Sequence, residues 1–160
     1  MHKTKPLLNI VLHRPDIPGN TGSIGRTCVA LGARLILIKP YGFEITEKAL
    51  RRAGLDYWKH IDLVEYDSFE DFYENEKPTN ESMHFFSRFS KKPYYENTYN
   101  RECYLIFGSE TKGLPEELFE RFPECFVTLP MYSEHIRSLN LSNTACAAAY
   151  EALRQINFSQ

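Results

Sequence analysis

Three separated stretches of this 160-residue chain carry residue types suited to chemistry on a polar ligand. In Ser138-Leu139-Asn140-Leu141-Ser142-Asn143, small polar side chains stand just ahead of Thr144-Ala145-Cys146-Ala147-Ala148-Ala149, a run with the composition of a helix. Polar groups at a helix start can face a ligand with unpaired backbone N–H donors beside them, and an alanine surface lets another backbone or helix come close. In Phe107-Gly108-Ser109-Glu110-Thr111-Lys112-Gly113-Leu114-Pro115, two glycines flank a carboxylate past an apolar run. There the backbone can approach an adenine or a polar tail, and Glu110 can orient a base or an arginine. In Gly19-Asn20-Thr21-Gly22-Ser23-Ile24-Gly25-Arg26, spaced glycines lead to an arginine.

None of the three fits a common nucleotide or hydrolase motif. The first glycines are spaced G-x-x-G-x-x-G, not G-x-G-x-x-G, and the second strand ends in Lys39-Pro40 with no carboxylate to grip a ribose, which disfavours a nicotinamide-dependent oxidoreductase. Lys112 precedes its glycine and no G-K-[ST] occurs, so the second stretch is not a P-loop; nor is it G-x-S-x-G, so Ser109 is not a hydrolase nucleophile. His13, His60, His84 and His135 show no metal or triad spacing, and none is expected to be catalytic. Leu129-Pro130-Met131-Tyr132 offers an apolar wall. Lys48, Arg51 and Arg52, and again Arg88, Lys91 and Lys92, lie near Tyr57, Trp58, Phe89, Tyr94 and Tyr95, a mixture suited to phosphates and unstacked bases. Taken singly, each feature also has a plain structural reading: Asn20 or Thr21 as a helix cap with Arg26 solvated, the second stretch as a tight turn, the basic clusters as a solvated helix face and a polar loop.

The elements that must position these residues alternate. Apolar runs predict strands at 7–12, 34–38, 61–66, 83–86, 103–107 and 126–129. Helices are expected at 20–31 with Gly32 as the stop, 46–52, 68–76, 116–122 with Pro115 in the first turn, and 141–156. The pattern implies an α/β fold, a mainly parallel, Rossmann-like sheet with helices on both faces. Ligands of such sheets bind beyond the carboxyl ends of the strands, which singles out Asp16–Arg26, Ser87–Lys92, Gly108–Pro115 and Pro130–Asn143. The polar connection 87–101 is long enough to be a functional loop.

A chain of this length that is 42% hydrophobic supports one domain, residues 1–160, more readily than two. Its 19 Lys and Arg against 21 Asp and Glu exclude a diffuse basic surface, so a polyanion must meet a local patch. Cys28, Cys103, Cys125 and Cys146 form no C-x-x-C pair and have no histidine at zinc-ligand spacing, which predicts reduced thiols and no metal. No apolar run approaches the roughly 18 residues a membrane span needs, so a soluble, cytoplasmic protein is expected.

In this order, Asn20–Arg26, Phe107–Pro115 and Ser138–Asn143 resemble the three motifs of the SPOUT superfamily of RNA methyltransferases. With Arg51-Arg52-Ala53-Gly54-Leu55-Asp56-Tyr57 added, the chain is most similar to the tRNA wobble-nucleotide (cytidine or uridine) 2′-O-methyltransferases over nearly its whole length. The resemblance implies a C-terminal trefoil knot, a homodimer with active sites near the subunit interface, S-adenosyl-L-methionine as methyl donor, and the anticodon region of a tRNA, a leucine tRNA in this branch, as substrate. It implies cofactor contacts at Gly108, Leu129 and Ser138, with Gly113, Met131 and Leu139 beside them and Arg88 at a fourth position. It implies that Arg26 activates or positions the ribose hydroxyl, that Ser142 and Asn143 orient Arg26 or the ribose, that Glu110 holds the arginine or the third motif, and that Asn20 supports them. Positioning suits a guanidinium better than base action, because it is so weak an acid. This chain departs from the pattern at Ser87-Arg88-Phe89-Ser90, where relatives are Thr-rich, at Ser109 and Lys112, where Pro and Arg are common, and at Gly25, where a larger residue is usual. A non-catalytic RNA-binding module of the same fold is the alternative; it would not need Arg26, Ser142 and Asn143 together.

Overall fold

The computed structural model describes residues 5–45 and 56–158, and within them six parallel strands form one sheet. The strands are β1 (Asn9–His13), β2 (Arg34–Ile38), β3 (Asp62–Tyr66), β4 (Met83–Phe86), β5 (Tyr104–Phe107) and β6 (Phe126–Val127), in the order β3-β2-β1-β5-β4-β6. The described helices are α1 (Pro18–Leu31), α2 (Phe69–Glu76), α3 (Glu116–Arg121) and α4 (Leu141–Phe158). The helix expected at 46–52 and the cations Lys48, Arg51 and Arg52 lie outside the described residues.

Every residue of β1, β4 and β5 is buried, as a parallel sheet covered on both faces requires. Strand alternation divides the core into two layers. Ile10, Leu12, Leu35, Leu37, Leu105 and Phe107 pack with α1 and α4, whereas Val11, Ile36, Ile38, Phe85 and Ile106 pack with Phe69 and Phe72 of α2 and Leu118 of α3.

Ala145, Ala148, Ala149 and Ala152 recur at helical spacing and are fully buried in the same cluster as Ile24 and Cys28 of α1. The alanine surface is therefore used inside the subunit. The opposite side of α4 exposes Asn143, Ala147, Tyr150 and Arg154.

Helix α1 starts at Pro18, two residues before the expected Asn20, because the fixed φ of proline suits a first turn. Its N-cap is Ile17, which makes no side-chain cap bond, so neither Asn20 nor Thr21 is the cap. It stops at Gly32, whose φ of 64° is left-handed. Pro115 is the residue before α3 rather than in its first turn. At Gly25 a β-carbon would lie 2.8 Å from Trp58 Cζ3 and 2.5 Å from Ile61 Cδ1, so close packing accounts for the missing side chain.

Strand β6 is shorter than expected because Thr128 leaves it to pair with the connection after β4: Thr128 N donates to Lys92 O at 2.9 Å, and Tyr94 N to Thr128 O at 2.8 Å. Farther along that connection, Gln155 of α4 accepts from Tyr99 N at 2.9 Å and donates to Asn97 O at 3.1 Å. The long segment 87–103 is thus tied at both the sheet edge and α4. Among the described residues no helix is long and apolar enough to cross a membrane.

Candidate active site

The loops leaving β1 and β5 meet through Glu110. Its carboxylate accepts from Asp16 N at 2.9 Å, Ile17 N at 2.8 Å and Asn20 Nδ2 at 3.2 Å. Negative charge near a helix N-terminus is favoured by the helix dipole, so Glu110 is well placed where it binds the two amides that lead into α1 and the Asn20 side chain in its first turn. A second bond between the same loops joins Thr111 Oγ1 to Asp16 Oδ2.

The amide of Asn20 carries the network on to the third motif. Asn140 Nδ2 donates to Asn20 Oδ1 at 3.1 Å, while Asn140 Oδ1 accepts from Ser142 Oγ at 2.6 Å and from Asn143 N at 3.2 Å. Asn140 therefore caps α4 with one end of its amide and reaches α1 with the other. The result is a continuous hydrogen-bonded path, Glu110–Asn20–Asn140–Ser142, across three segments that are remote along the chain.

Beside this path the carboxyl ends of the strands open into a cleft of about 490 Å³. Arg88, Gly108, Gly113, Leu129, Met131, Ser138 and Leu139 all line it, as do Glu110 and Asn20. Gly108 is required by its surroundings, since a β-carbon there would sit 2.1 Å from the Gly113 carbonyl carbon and 2.3 Å from Leu114 N. Gly113 has φ +67°, the left-handed conformation that lets the loop fold back on Gly108. A flat backbone cradle results, with Leu129, Met131 and Leu139 as apolar wall and Arg88, Lys112 and Arg137 as cationic rim. Such a surface fits a ligand with an apolar ring, a polar tail and a charged group, as S-adenosylmethionine has.

Several lining residues went unrecognised in the sequence. Phe86, expected only as strand core, lines the cleft beside Phe107 of the second motif, with ring centroids 4.7 Å apart. Its place as the last residue of a parallel strand was the available signal. Arg137 also lines the cleft, and the guanidinium of Arg88 donates to its backbone carbonyl at 3.2 Å, joining the loop after β4 to the third motif.

Arg26, Ser142 and Asn143 do not line the cleft, and within the single chain the expected contacts to Arg26 are not made. Among the described residues Glu110 bonds no arginine; of its two expected partners it reaches the third motif, through Asn20 and Asn140. Ser142 and the Asn143 amide nitrogen are bonded to Asn140, not to Arg26. Arg26 is exposed, six residues or about 9 Å of helix rise beyond Asn20, and its guanidinium carbon lies 5.8 Å from the ring centroid of Tyr57. It turns away because the face of α1 that carries Asn20 and Ile24 is buried under α4 and the sheet.

His13, at the end of β1, is pushed down to about 4 by burial and by Arg14, and His84 to about 4 by burial and by Lys92. His135 is exposed and outside the cleft lining. Cys28, Cys103 and Cys125 are buried free thiols, and burial raises Cys28 and Cys103 to about 12. Among the described residues no three His, Cys, Asp or Glu side chains cluster as a metal site.

A family model described as the SpoU rRNA Methylase family matches residues 7–150. A tRNA (cytidine(34)-2′-O)-methyltransferase of Burkholderia cenocepacia (strain HI2424) is 41% identical over 153 residues, covering 95% of this chain and 97% of the relative. A structure solved for 2′-OH methylation of C/U34 on tRNA superimposes with a TM-score of 0.84 at 42% identity, over 96% of this chain and 97% of that one. The methyltransferase AviRb from Streptomyces viridochromogenes, solved in complex with the cofactor AdoMet, superimposes with a TM-score of 0.76 at 26% identity, over 99% of this chain and 63% of its own.

Proposed function

Because the chain belongs to the SpoU rRNA Methylase family, we propose that it methylates the ribose 2′-hydroxyl of nucleotide 34, a cytidine or uridine in the anticodon of a leucine tRNA, with S-adenosylmethionine as donor. The observation that carries this reading is the path Glu110–Asn20–Asn140–Ser142, which draws the three motifs onto one cleft whose lining includes every residue expected to touch the cofactor. Residues 1–160 act as one catalytic domain in the cytoplasm, and the segment after β6 makes the trefoil threading. In support, the chain runs from β6 at the sheet edge back under β1 and β5 as α4.

The donor supplies an electrophilic methyl group on a sulfonium, so the protein must hold the acceptor oxygen in line and help it lose its proton. The Gly108–Gly113 backbone and the wall of Leu129, Met131 and Leu139 would hold the cofactor, with Ser138 and Arg88 meeting its polar groups. Arg26 holds the ribose hydroxyl and its phosphate through a guanidinium fork suited to phosphate oxygens. Ser142 and Asn143 face the same ribose. Arg26 does not reach Asn143 within one subunit, so the reading places the acceptor between two copies of the chain. Arg26 on α1 and Asn143, Ala147 and Tyr150 on the adjoining α4 are exposed and available to such a pairing.

Incubation with methyl-labelled S-adenosylmethionine and total tRNA, followed by mapping of the label, tests the assignment. Label on the 2′-oxygen of nucleotide 34 is the expected result; label elsewhere, or binding of tRNA without transfer, contradicts it.

A further inference from the structure

The turn Asp56–His60 ends a motif that the proposed chemistry leaves unused, and it packs against α1 beside Arg26. Tyr57 makes two contacts there, one helical turn apart. Its hydroxyl donates to Gly22 O at 2.8 Å, and its ring faces the Arg26 guanidinium with 5.8 Å between Cζ and centroid. Between these points Gly25 presents bare backbone to Trp58 and Ile61, so no side chain holds the turn away from the helix.

A ring face attracts a guanidinium through its quadrupole and consumes none of its five N–H donors. A carboxylate partner would occupy two of them and offset the charge a phosphate needs. Among the described residues Arg26 has no carboxylate partner; Tyr57 is its only side-chain contact of this kind. Burial raises the Tyr57 phenol above its ordinary range, so the hydroxyl keeps the proton it donates to Gly22.

We propose that Tyr57 is the positioning residue for Arg26: its ring fixes the guanidinium without itself engaging an N–H donor, and its hydroxyl fixes the helical turn that carries the arginine, at a spacing set by Trp58 against Gly25. This rests on the reading that Arg26 acts on the ribose.

The test is single-turnover methyl transfer by the full chain at saturating donor and tRNA, with calorimetric titration of S-adenosylhomocysteine in parallel. Tyr57→Leu is expected to slow transfer about tenfold, as a misplaced positioning group does, with cofactor affinity unchanged, while Tyr57→Phe keeps the ring and recovers most of the rate. In the unmodified protein the Arg26 Nε–H resonance should be displaced by the ring current, a readout that needs no variant to fold. A Tyr57→Leu rate equal to that of the unmodified protein, an equal fall in cofactor affinity, or an undisplaced resonance overturns the proposal. If Arg26→Ala retains full turnover, the catalytic reading of Arg26 fails and takes the proposal with it. If Arg26→Ala is inactive while Tyr57→Leu is not, only the proposal fails.

Discussion

Asn140 Nδ2 and Asn20 Oδ1 lie 3.1 Å apart and join the start of α4 to the start of α1 across 120 residues of chain. Each amide is used at both ends: Asn20 donates to Glu110 while accepting from Asn140, and Asn140 donates to Asn20 while capping α4. Asn20 is only 9% exposed, so a group left unpaired there is costly.

Replacing Asn20 by Ala should lower stability by about 1–3 kcal/mol and methyl transfer with it, because Glu110 and Asn140 each lose a partner. Asn20→Asp should be worse than Ala, since it sets a second carboxylate against Glu110. Urea unfolding of the two variants ranks them; a stable Asn20→Asp would refute the orientation of the amide.

Gly108→Ala should cost about tenfold or more in affinity for S-adenosylhomocysteine, because the added carbon meets the Gly113–Leu114 backbone, which cannot swing aside as a side chain would. The loss comes from displacement of the cradle and not from a clash with the ligand. Calorimetric titration reads it, and unchanged affinity would remove Gly108 from the site.

Arg26→Ala should reduce turnover by about 10²–10³, the usual effect of removing one transition-state donor, with cofactor affinity intact. Arg26 does not line the cleft, so loss of cofactor binding with normal turnover at saturation would show that its role has been misassigned.

Tyr150 is 50% exposed on the outer side of α4, and Tyr150→Glu should shift a dimer toward the 18.7 kDa single chain while cutting methyl transfer more than cofactor binding. Sedimentation of both forms decides it. A fully active protein that sediments as one chain would exclude a site shared between subunits.

Acid should destabilise the fold through His13 and His84. Both are buried with values near 4, below the ordinary 6.5, so between those limits the unfolded chain binds more protons than the native one. Their contribution is complete above pH 6.5 and is lost as pH falls toward 4, by ~3 kcal/mol for each histidine. Unfolding free energies measured from pH 7 to pH 4 should fall along that window, and less steeply in His84→Gln; a flat profile would contradict the burial of both rings.

Much of the architecture could be read from the chain alone. The six apolar runs are the six strands and Gly32 ends α1, because apolar runs and a glycine stop are local properties that neighbouring residues specify; Ser68, expected inside the helix 68–76, is instead the residue that caps α2. The four segments beyond the strand ends all reach the cleft for the same reason: in a parallel sheet, chain direction alone decides which loops share an edge. Partnerships were not legible. That Glu110 binds the amides leading into a helix more than 90 residues earlier, that Asn140 rather than Ser142 is the hub of the third motif, that the alanines of α4 face inward, and that Arg26 rests on Tyr57 instead of meeting Asn143 all depend on distances through space. A hydrogen bond or ring contact forms over a few ångströms whatever the separation along the chain, so residue types could nominate these groups, but only the packed sheet could pair them.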